Sequence, residues 1–532
     1  MMDIPLNIWT MFAAAQRHYF DVEIVTSFPD DSRHRYPYGQ FAARAQQLMH
    51  ALDSLGLAED AVVGSLAWNG FRHLEAYFGV PGSGRVLHTL NLRLSPTELA
   101  TVIDHGGDVA ILVDPDLVPL LEQARALGGL RQVTHVIVLD DHTPEADLPG
   151  LVAYEPLIAG QATSYPRTPW AESRPLGICH TSGTTGHPKG VVYTHRSTVL
   201  HALGVASGAG FALGPSDCVL PIVPMFHGNA WGVPYAATMV GAKQVFAAGP
   251  FTAQRVISLL RDEQVTVAAG VPTIWIDVAG HLHGPRPLPD LRHIVSGGAQ
   301  PPSSLIARYR RDFGIPILQA WGMTETSPLA SVAWPKHHLR GLPDEEFIEQ
   351  AASQAGLPVP TVDLSIRDGD GAEVVWDGEQ LGDLYVRGPW VADSYLHGDG
   401  VEQFTGGWFR TGDVAVGSPG GYFRIADRTK DLIKSGGEWI SSVDMEAALM
   451  AHPDVVEAAV IAIPDPKWLE RPLACVVPGE DAVPTLDQIH EHLTAHGFAR
   501  WQLPDRVEFL DQIPRTSVGK FDKKALRARF PA

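Results

Sequence analysis

Cysteine is scarce in this chain of 532 residues: Cys179, Cys218 and Cys475 are the three it has, far apart in sequence. They offer neither a disulfide framework nor metal-ligand spacing, which excludes a disulfide-stapled scaffold and fits a reducing cytoplasm. Long uncharged apolar runs are missing too, so no transmembrane helix is expected. The opening Met1-Met2-Asp3-Ile4-Pro5-Leu6 lacks the basic-then-apolar layout of a signal peptide. Positive charge is also in deficit, with 40 Lys and Arg against 60 Asp and Glu and a net charge of −20. A nucleic-acid partner needs a basic surface and is excluded on that ground, although a few lysines can still dominate one cleft. There are 23 histidines but no HExxH pair. The expectation is a soluble cytoplasmic protein of more than one domain, since the chain is too long for a single hydrophobic core.

The apolar pattern that is present alternates between two periods. Phe41, Ala45, Leu48, Leu52 and Leu55 mark an amphipathic helix over 38–55 closed by Gly56. Strand-like 61–67, 110–113 and 136–139 alternate with helical 71–78 and 118–127. The alternation resumes with strands at 219–223, 265–267 and 291–295 and helices at 253–261 and 301–313. Such βα alternation with near-continuous apolar strands predicts α/β architecture, parallel sheets covered by helices. From about 361 to 425 the texture turns to short alternating β runs with Gly-Asp turns, a small antiparallel subdomain. Beyond Asp427 comes a mixed α+β section: helices at 443–450, 486–495 and 522–529, strands at 455–463 and 473–477. The charged stretch at 426–431 separates the two textures and is the expected boundary.

Chemistry collects first at Thr181-Ser182-Gly183-Thr184-Thr185-Gly186-His187-Pro188-Lys189-Gly190, between apolar 176–179 and 191–193. Glycines let backbone N–H groups close on an anion, hydroxyls add donors and the lysine adds charge. By composition this is a phosphate cradle, but alone it fits a polar hairpin turn equally well. It is not a Walker A loop, because Lys189 stands between Pro188 and Gly190 with no Ser or Thr after it. Gln319-Ala320-Trp321-Gly322-Met323-Thr324-Glu325-Thr326 brings an aromatic plane and a carboxylate into one turn. Trp321 could stack on a base and Glu325 could hold Mg²⁺, or the pair could be a buried Trp beside a capped helix start. Trp408-Phe409-Arg410-Thr411-Gly412-Asp413 ends on a carboxylate suited to ribose hydroxyls, or is simply a turn.

Together these stretches resemble the adenylate-forming superfamily of acyl-CoA synthetases, adenylation domains and firefly-type luciferases, over about residues 9–526. Six motifs stand in the family's order: TSGTTGHPKG at 181–190, PMFHGNAWG at 224–232, WGMTET at 321–326, WFRTGD at 408–413, DRTKDLIKSGGEWIS at 427–441 and PRTSVGKFDKKALR at 514–527. Within the superfamily, VVYTHRSTVLHA, NAWGVPYAAT, SGGEWISSVD and AIPDPKWLERP are most similar to bacterial medium- and long-chain fatty acyl-CoA ligases. Ligases for methylthio-alkanoates are close behind. The resemblance implies a large N-terminal domain over 1–426 with a small β-barrel subdomain near 361–425. It also implies a hinge at 427–431 and a small mobile C-terminal domain over 432–532.

It also implies roles. A carboxylate would attack the α-phosphate of ATP to give acyl-adenylate and pyrophosphate, and CoA would then displace AMP. Thr181 to Lys189 would hold the β and γ phosphates, and Glu325 with Thr184 would organise Mg²⁺. Gly298, Ala299, Ala320, Trp321, Gly322, Met323 and Thr324 would border the nucleotide, with Trp321 where Tyr is more usual. Asp413 would take the ribose with Arg428 nearby. Lys520 is the implied mobile catalytic lysine and Lys430 the hinge, and Ser435, Gly436 and Gly437, flanked by Lys434 and Trp439, would meet CoA. His227 would lie beside the reacting carboxylate, Trp231 would gate the acyl tunnel, and Val233 and Gly297 would form pocket wall. Gly228 and Gly232 are expected to widen the tunnel mouth. Competing readings are a ligase for a methylthio-alkanoate, aryl or steroid side-chain acid, transfer to a separate carrier protein, and a catalytically dead scaffold. A homodimer formed through the N-terminal domain is expected from the same resemblance.

Overall fold

The computed structural model describes residues 1–181, 188–428, 430–435, 438–479, 483–516 and 521–530. The apolar run Ala110-Ile111-Leu112-Val113 lies within the strand Asp108–Val113, whose last four residues are fully buried, as expected where helices cover both faces of a parallel sheet. That strand belongs to a seven-stranded sheet in the order Leu151–Ala153, His135–Val138, Asp108–Val113, Val62–Leu66, Val86–Thr89, Pro175–His180, Gly190–Thr194. All neighbours are parallel except the last two, which form an antiparallel hairpin around 181–189.

A nine-stranded sheet faces it, in the order Leu357–Pro358, Leu329–Val332, Ile317–Gly322, His293–Ser296, Val267–Gly270, Cys218–Pro221, Lys243–Ala247, Glu23–Ser27, Arg33–Pro37. Its interior is parallel and its outer strands antiparallel. One apolar core lies between the sheets, fed by Leu87, Leu176 and Val191 from one and by Val219, Val267, Val295 and Leu318 from the other. The opposite faces are covered by separate clusters.

The helix Tyr38–Ser54 buries Phe41, Ala45, Leu48 and Leu52 against Phe71–Gly82. A Cβ on Gly79 would sit 2.8 Å from the Leu48 side chain, so this crossing requires glycine. The expected helix over 301–313 begins later, at Ser303, because Pro302 disfavours helical backbone at Pro301 and itself stands as a non-helical N-cap with ψ 140°, and it widens into a π turn over Tyr309–Phe313.

The small β subdomain is a five-stranded antiparallel sheet from Asp363–Arg367, Leu381–Arg387, Phe404–Thr405, Trp408–Gly417 and Phe423–Arg428. Its ladders run in one line with a branch, with no closing pair among the described residues. The C-terminal section is another five-stranded sheet, built on the long antiparallel pair Val455–Asp465 and Leu469–Pro478. Helices Ser442–Leu449 and Leu486–Ala495 pack on one face and Lys523–Arg529 on the other. Among the described residues no helix is long and apolar enough to cross a membrane.

A buried charge network locks the first helices. Glu75 is fully buried and accepts from Arg44 at 2.7 Å and from the Tyr154 hydroxyl at 2.6 Å, while Arg44 and Arg72 share Glu155. Burial raises the Glu75 carboxyl above its usual range and Arg44 pulls it back. Arg44→Met should therefore cost about 3–5 kcal/mol by stranding a buried carboxylate. Urea unfolding followed by circular dichroism checks this, and an unchanged midpoint contradicts it.

Candidate active site

The phosphate-loop hairpin closes where Thr181 N donates to the Lys189 carbonyl at 2.9 Å and Lys189 N donates to Thr181 Oγ1 at 3.4 Å. Ser182, Gly183, Thr184, Thr185 and Gly186 lie outside the described residues. The Lys189 ammonium donates to Gln403 Oε1 at 3.0 Å, stands 3.9 Å from Glu402 and lies 4.9 Å from the Tyr395 ring centroid. The same tyrosine donates its hydroxyl to Glu325 Oε1 at 2.5 Å. Glu325 sits in the short turn Thr324–Thr326 that follows the strand Ile317–Gly322. That turn is pinned by Tyr193, whose hydroxyl donates to the Thr324 carbonyl at 2.8 Å, and by Ala392 N on the Glu325 carbonyl at 2.8 Å. Glu325 is only 5% exposed, and burial pushes its carboxyl up; the Tyr395 hydroxyl is the strongest opposing influence.

Asp413 forms a second centre. Trp321 Nε1 donates to Asp413 Oδ2 at 3.1 Å and Arg428 Nε to Asp413 Oδ1 at 2.8 Å. Asp413 and Arg428 are cross-strand partners in the small sheet, whereas Trp321 comes from the nine-stranded one. The Trp321 ring stands edge-on to Phe423 at 5.7 Å. A tyrosine would place its hydroxyl elsewhere, so this indole link to the carboxylate is a consequence of Trp at the position.

The third part lies along 224–232. Gly228, Asn229, Ala230, Trp231 and Gly232 all have positive φ, from +48° to +73°, a left-handed turn that costs about 1–2 kcal/mol at each non-glycine residue. It is held from outside. Asn69 accepts from Met225 N at 2.7 Å and donates to the Pro221 and Val223 carbonyls; Tyr77 donates to the Met225 carbonyl, and Gly228 N to Cys179 Sγ at 3.4 Å. The expectation that Gly228 and Gly232 widen the tunnel mouth is corrected here. A Cβ at Gly232 would strike the His201 ring and one at Gly228 would lie 3.2 Å from Pro328, so both serve the turn and its packing. Trp231 lies against Gly297, where an added Cβ would be 3.2 Å from the indole and 2.8 Å from the Ala320 carbonyl. Val233 is buried beside them, His227 precedes the turn, and Gly298 and Ala299 are exposed at the end of the His293–Ser296 strand.

The remaining expected residues sit in the C-terminal section. Lys434 lies 5.3 Å from the Trp439 ring centroid, and Ser435 accepts from Arg471 at 3.1 Å. Lys430 is exposed beside Asp431, which Arg527 holds at 2.6 Å. Gly436, Gly437 and Lys520 lie outside the described residues. Sequence reasoning missed Tyr395, Gln403, Asn69 and Tyr77. A lone tyrosine in the turn-rich 393–400 stretch was the one available hint, because aromatics are unusual there.

Residues 11–396 match the AMP-binding enzyme family, and residues 444–520 match the AMP-binding enzyme C-terminal domain. The chain belongs to the AMP-binding enzyme family. This AMP-binding enzyme is 48% identical to a long-chain-fatty-acid–CoA ligase of Thermus thermophilus, covering 100% of this chain and 96% of the relative. It is 41% identical to a 3-methylmercaptopropionyl-CoA ligase of Ruegeria lacuscaerulensis, over 100% and 98%. Its fold superposes on an anthranilate CoA ligase solved with anthranoyl-AMP at a TM-score of 0.87 and 25% identity, covering 99% and 98% of the two chains. The AMP-binding enzyme is an adenylate-forming acid–thiol ligase.

Tyr395→Phe removes the donor that holds the Glu325 carboxyl down. With burial then less opposed, the carboxyl protonates at higher pH, and the acid limb of acid-dependent pyrophosphate release should move alkaline. A limb that stays in place contradicts a role for ionised Glu325.

Proposed function

We propose that this enzyme activates a fatty acid, of medium or long chain, with ATP and transfers the acyl group to CoA. The observation that carries the site assignment is the contact of Lys189, Tyr395 and Glu325 beside the phosphate-loop hairpin, with Asp413, Trp321 and Arg428 as a second polar centre. In the first half-reaction a substrate carboxylate oxygen attacks the α-phosphorus of ATP, the bond to the β-phosphate oxygen breaks, and pyrophosphate leaves. Lys189 and the hydroxyls of 181–185 grip the departing phosphates. Asp413 accepts hydrogen bonds from the ribose hydroxyls through the lone pairs that Trp321 Nε1 and Arg428 leave on its two oxygens, and the indole plane of Trp321 borders the base. In the second half-reaction the CoA sulfur attacks the acyl carbonyl and AMP leaves with the electron pair.

Mg²⁺ fits the residues present. Glu325 offers a carboxylate, the hard oxygen donor this ion prefers, already oriented by Tyr395; Thr184 would supply the second oxygen. The ion would neutralise phosphate charge there. Lys520 places positive charge at the α-phosphate as negative charge builds, worth about 3–4 kcal/mol by analogy with single-donor removals. The 432–532 section turns about Lys430 to bring first Lys520 and then Ser435, Gly436 and Gly437, flanked by Lys434 and Trp439, to the site. His227 orients the substrate carboxylate, and Trp231, Val233 and Gly297 wall the acyl pocket. The 48% identity to a fatty-acid ligase supports that substrate over the methylthio-alkanoate alternative carried by the 41% relative. We also propose a cytoplasmic homodimer, which light scattering tests.

A panel of carboxylic acids with ATP, Mg²⁺ and CoA decides the substrate: saturated medium- and long-chain acids should turn over fastest, and no turnover of any of them overturns the reading. In Lys189→Ala, adenylate formation should fall by about 10²-fold or more while thioester formation from supplied acyl-adenylate changes little. Equal loss in both half-reactions overturns the pyrophosphate grip.

A further inference from the structure

A chain of hydrogen-bonded side chains leads from the interior to the segment that holds Lys189. His88 Nδ1 lies 2.9 and 3.0 Å from the two Asp108 oxygens, both side chains being buried. His88 Nε2 is 2.8 Å from His180 Nδ1, and His180 Nε2 is 2.9 Å from His105 Nδ1. His105 Nε2 faces Asp399 Oδ2 at 3.3 Å. His88 and His180 come from the adjacent strands Val86–Thr89 and Pro175–His180, Asp108 from Asp108–Val113 on the far side of Val62–Leu66, His105 from the helix Pro96–Gly106 and Asp399 from the 395–403 segment. Among the described residues no group of three or more His, Cys, Asp or Glu is arranged to hold a metal ion, since these ring nitrogens are spent on one another.

Counting protons shows what the chain can do. Four links need four protons, and three neutral imidazoles between two ionised carboxylates carry three. With Asp108 accepting from His88 Nδ1–H, each histidine accepts from the next through Nε2, and His105 is left turning a lone pair toward Asp399. One added proton on His105 Nε2 completes the last link. That end can exchange with solvent: His105 is partly exposed and borders a surface recess of about 380 Å³ lined also by Thr97, Asp104 and Arg131.

The groups facing His105 are His180, and through it His88 and Asp108, from the sheet; Asp104, held by Arg131 at 2.7 Å, from its own helix; and His397 and Asp399 from the 395–403 segment. Burial and His397 keep the His105 imidazolium below its ordinary range and Asp399 opposes them. His397 Nε2 is 3.1 Å from the His105 carbonyl and so donates to it, and its ring centroid is 5.0 Å away.

The same short segment carries Tyr395, Glu402 and Gln403, the three groups on the Lys189 ammonium, and Gly400, where a Cβ would collide with Lys189 Nζ. We propose that His105 and Asp399 are positioning residues forming a proton-operated latch on the 395–403 segment. With the added proton the latch closes and the segment occupies the Lys189 ammonium. Without it the segment loosens and the lysine turns to the phosphates of ATP. The proposal rests on the reading of Lys189 as a phosphate grip. Acidification to below the ordinary imidazole range closes the latch, so the apparent affinity for ATP falls as pH falls.

Hydrogen exchange on the full chain, corrected for intrinsic rates, tests closure at about pH 5.5 and about pH 8. Protection at 396–403 should be about threefold or more greater at the acid pH in the parent, and equal at both in Asp399→Asn. A merely structural Asp399 would lower protection equally at both pH values, which overturns the latch. The KM for ATP in pyrophosphate release should rise on acidification about threefold more in the parent than in Asp399→Asn or His105→Gln, with kcat unmoved. Protonation of free ATP is common to all three proteins and cancels. Proton-dependent protection with identical KM profiles would overturn the Lys189 step while leaving closure standing, so the two failures are distinguishable.

Discussion

One phenol couples the two charges on which this site depends. Tyr395 gives its hydroxyl to a buried carboxylate and its ring face to a lysine ammonium. A carboxylate as buried as Glu325 carries a desolvation penalty that shifts it toward the neutral form, and a donated hydrogen bond is the direct way to keep it ionised. The lysine beside it gains from the ring quadrupole without losing its charge to a full ion pair, since Glu402 stays at 3.9 Å. An ammonium held by weak partners can be drawn off by a polyphosphate, whereas one locked in a buried ion pair could not.

The acyl side is governed by a different constraint, backbone strain. The left-handed turn at 228–232 is tied to Cys179 by Gly228 N, and Asn69 and Tyr77 fix the 221–225 stretch that leads into it. The turn sets where Trp231 lies, and Trp231 in turn meets Gly297 at the end of a strand in the nine-stranded sheet. The 228–232 turn and Asn69 carry no reactive chemistry themselves; they act by placing Trp231, the residue proposed to wall the acyl pocket.

Much of the layered fold was legible from periodicity, because strands buried on both faces leave apolar runs and amphipathic helices leave a 3.6-residue stripe. The helix at 38–54 and the hairpin around the phosphate loop are of that kind. The helix at 301–313 was misjudged at its start because a residue preceding proline, here Pro301, is pushed to extended backbone. Gly228 and Gly232 were misread as pocket space because a glycine in sequence does not say whether its missing Cβ leaves a void or relieves a clash. The 395–403 stretch fell within the short β runs and turns of 361–425 and was not singled out, yet it bears the contacts of Lys189.

Local order and residue type alone determined the α/β layering, the family and which motifs hold glycine-and-hydroxyl-rich, acidic and aromatic side chains. Those properties depend on short-range spacing and on composition, both of which a linear chain displays. Only the tertiary structure decided that Tyr395 joins Glu325 to Lys189, that Trp321 leans on Asp413, and that three histidines link Asp108 to Asp399. Each of these contacts joins residues distant in sequence and depends on distances of about 3–5 Å set by how the sheets pack, a quantity no single sequence carries.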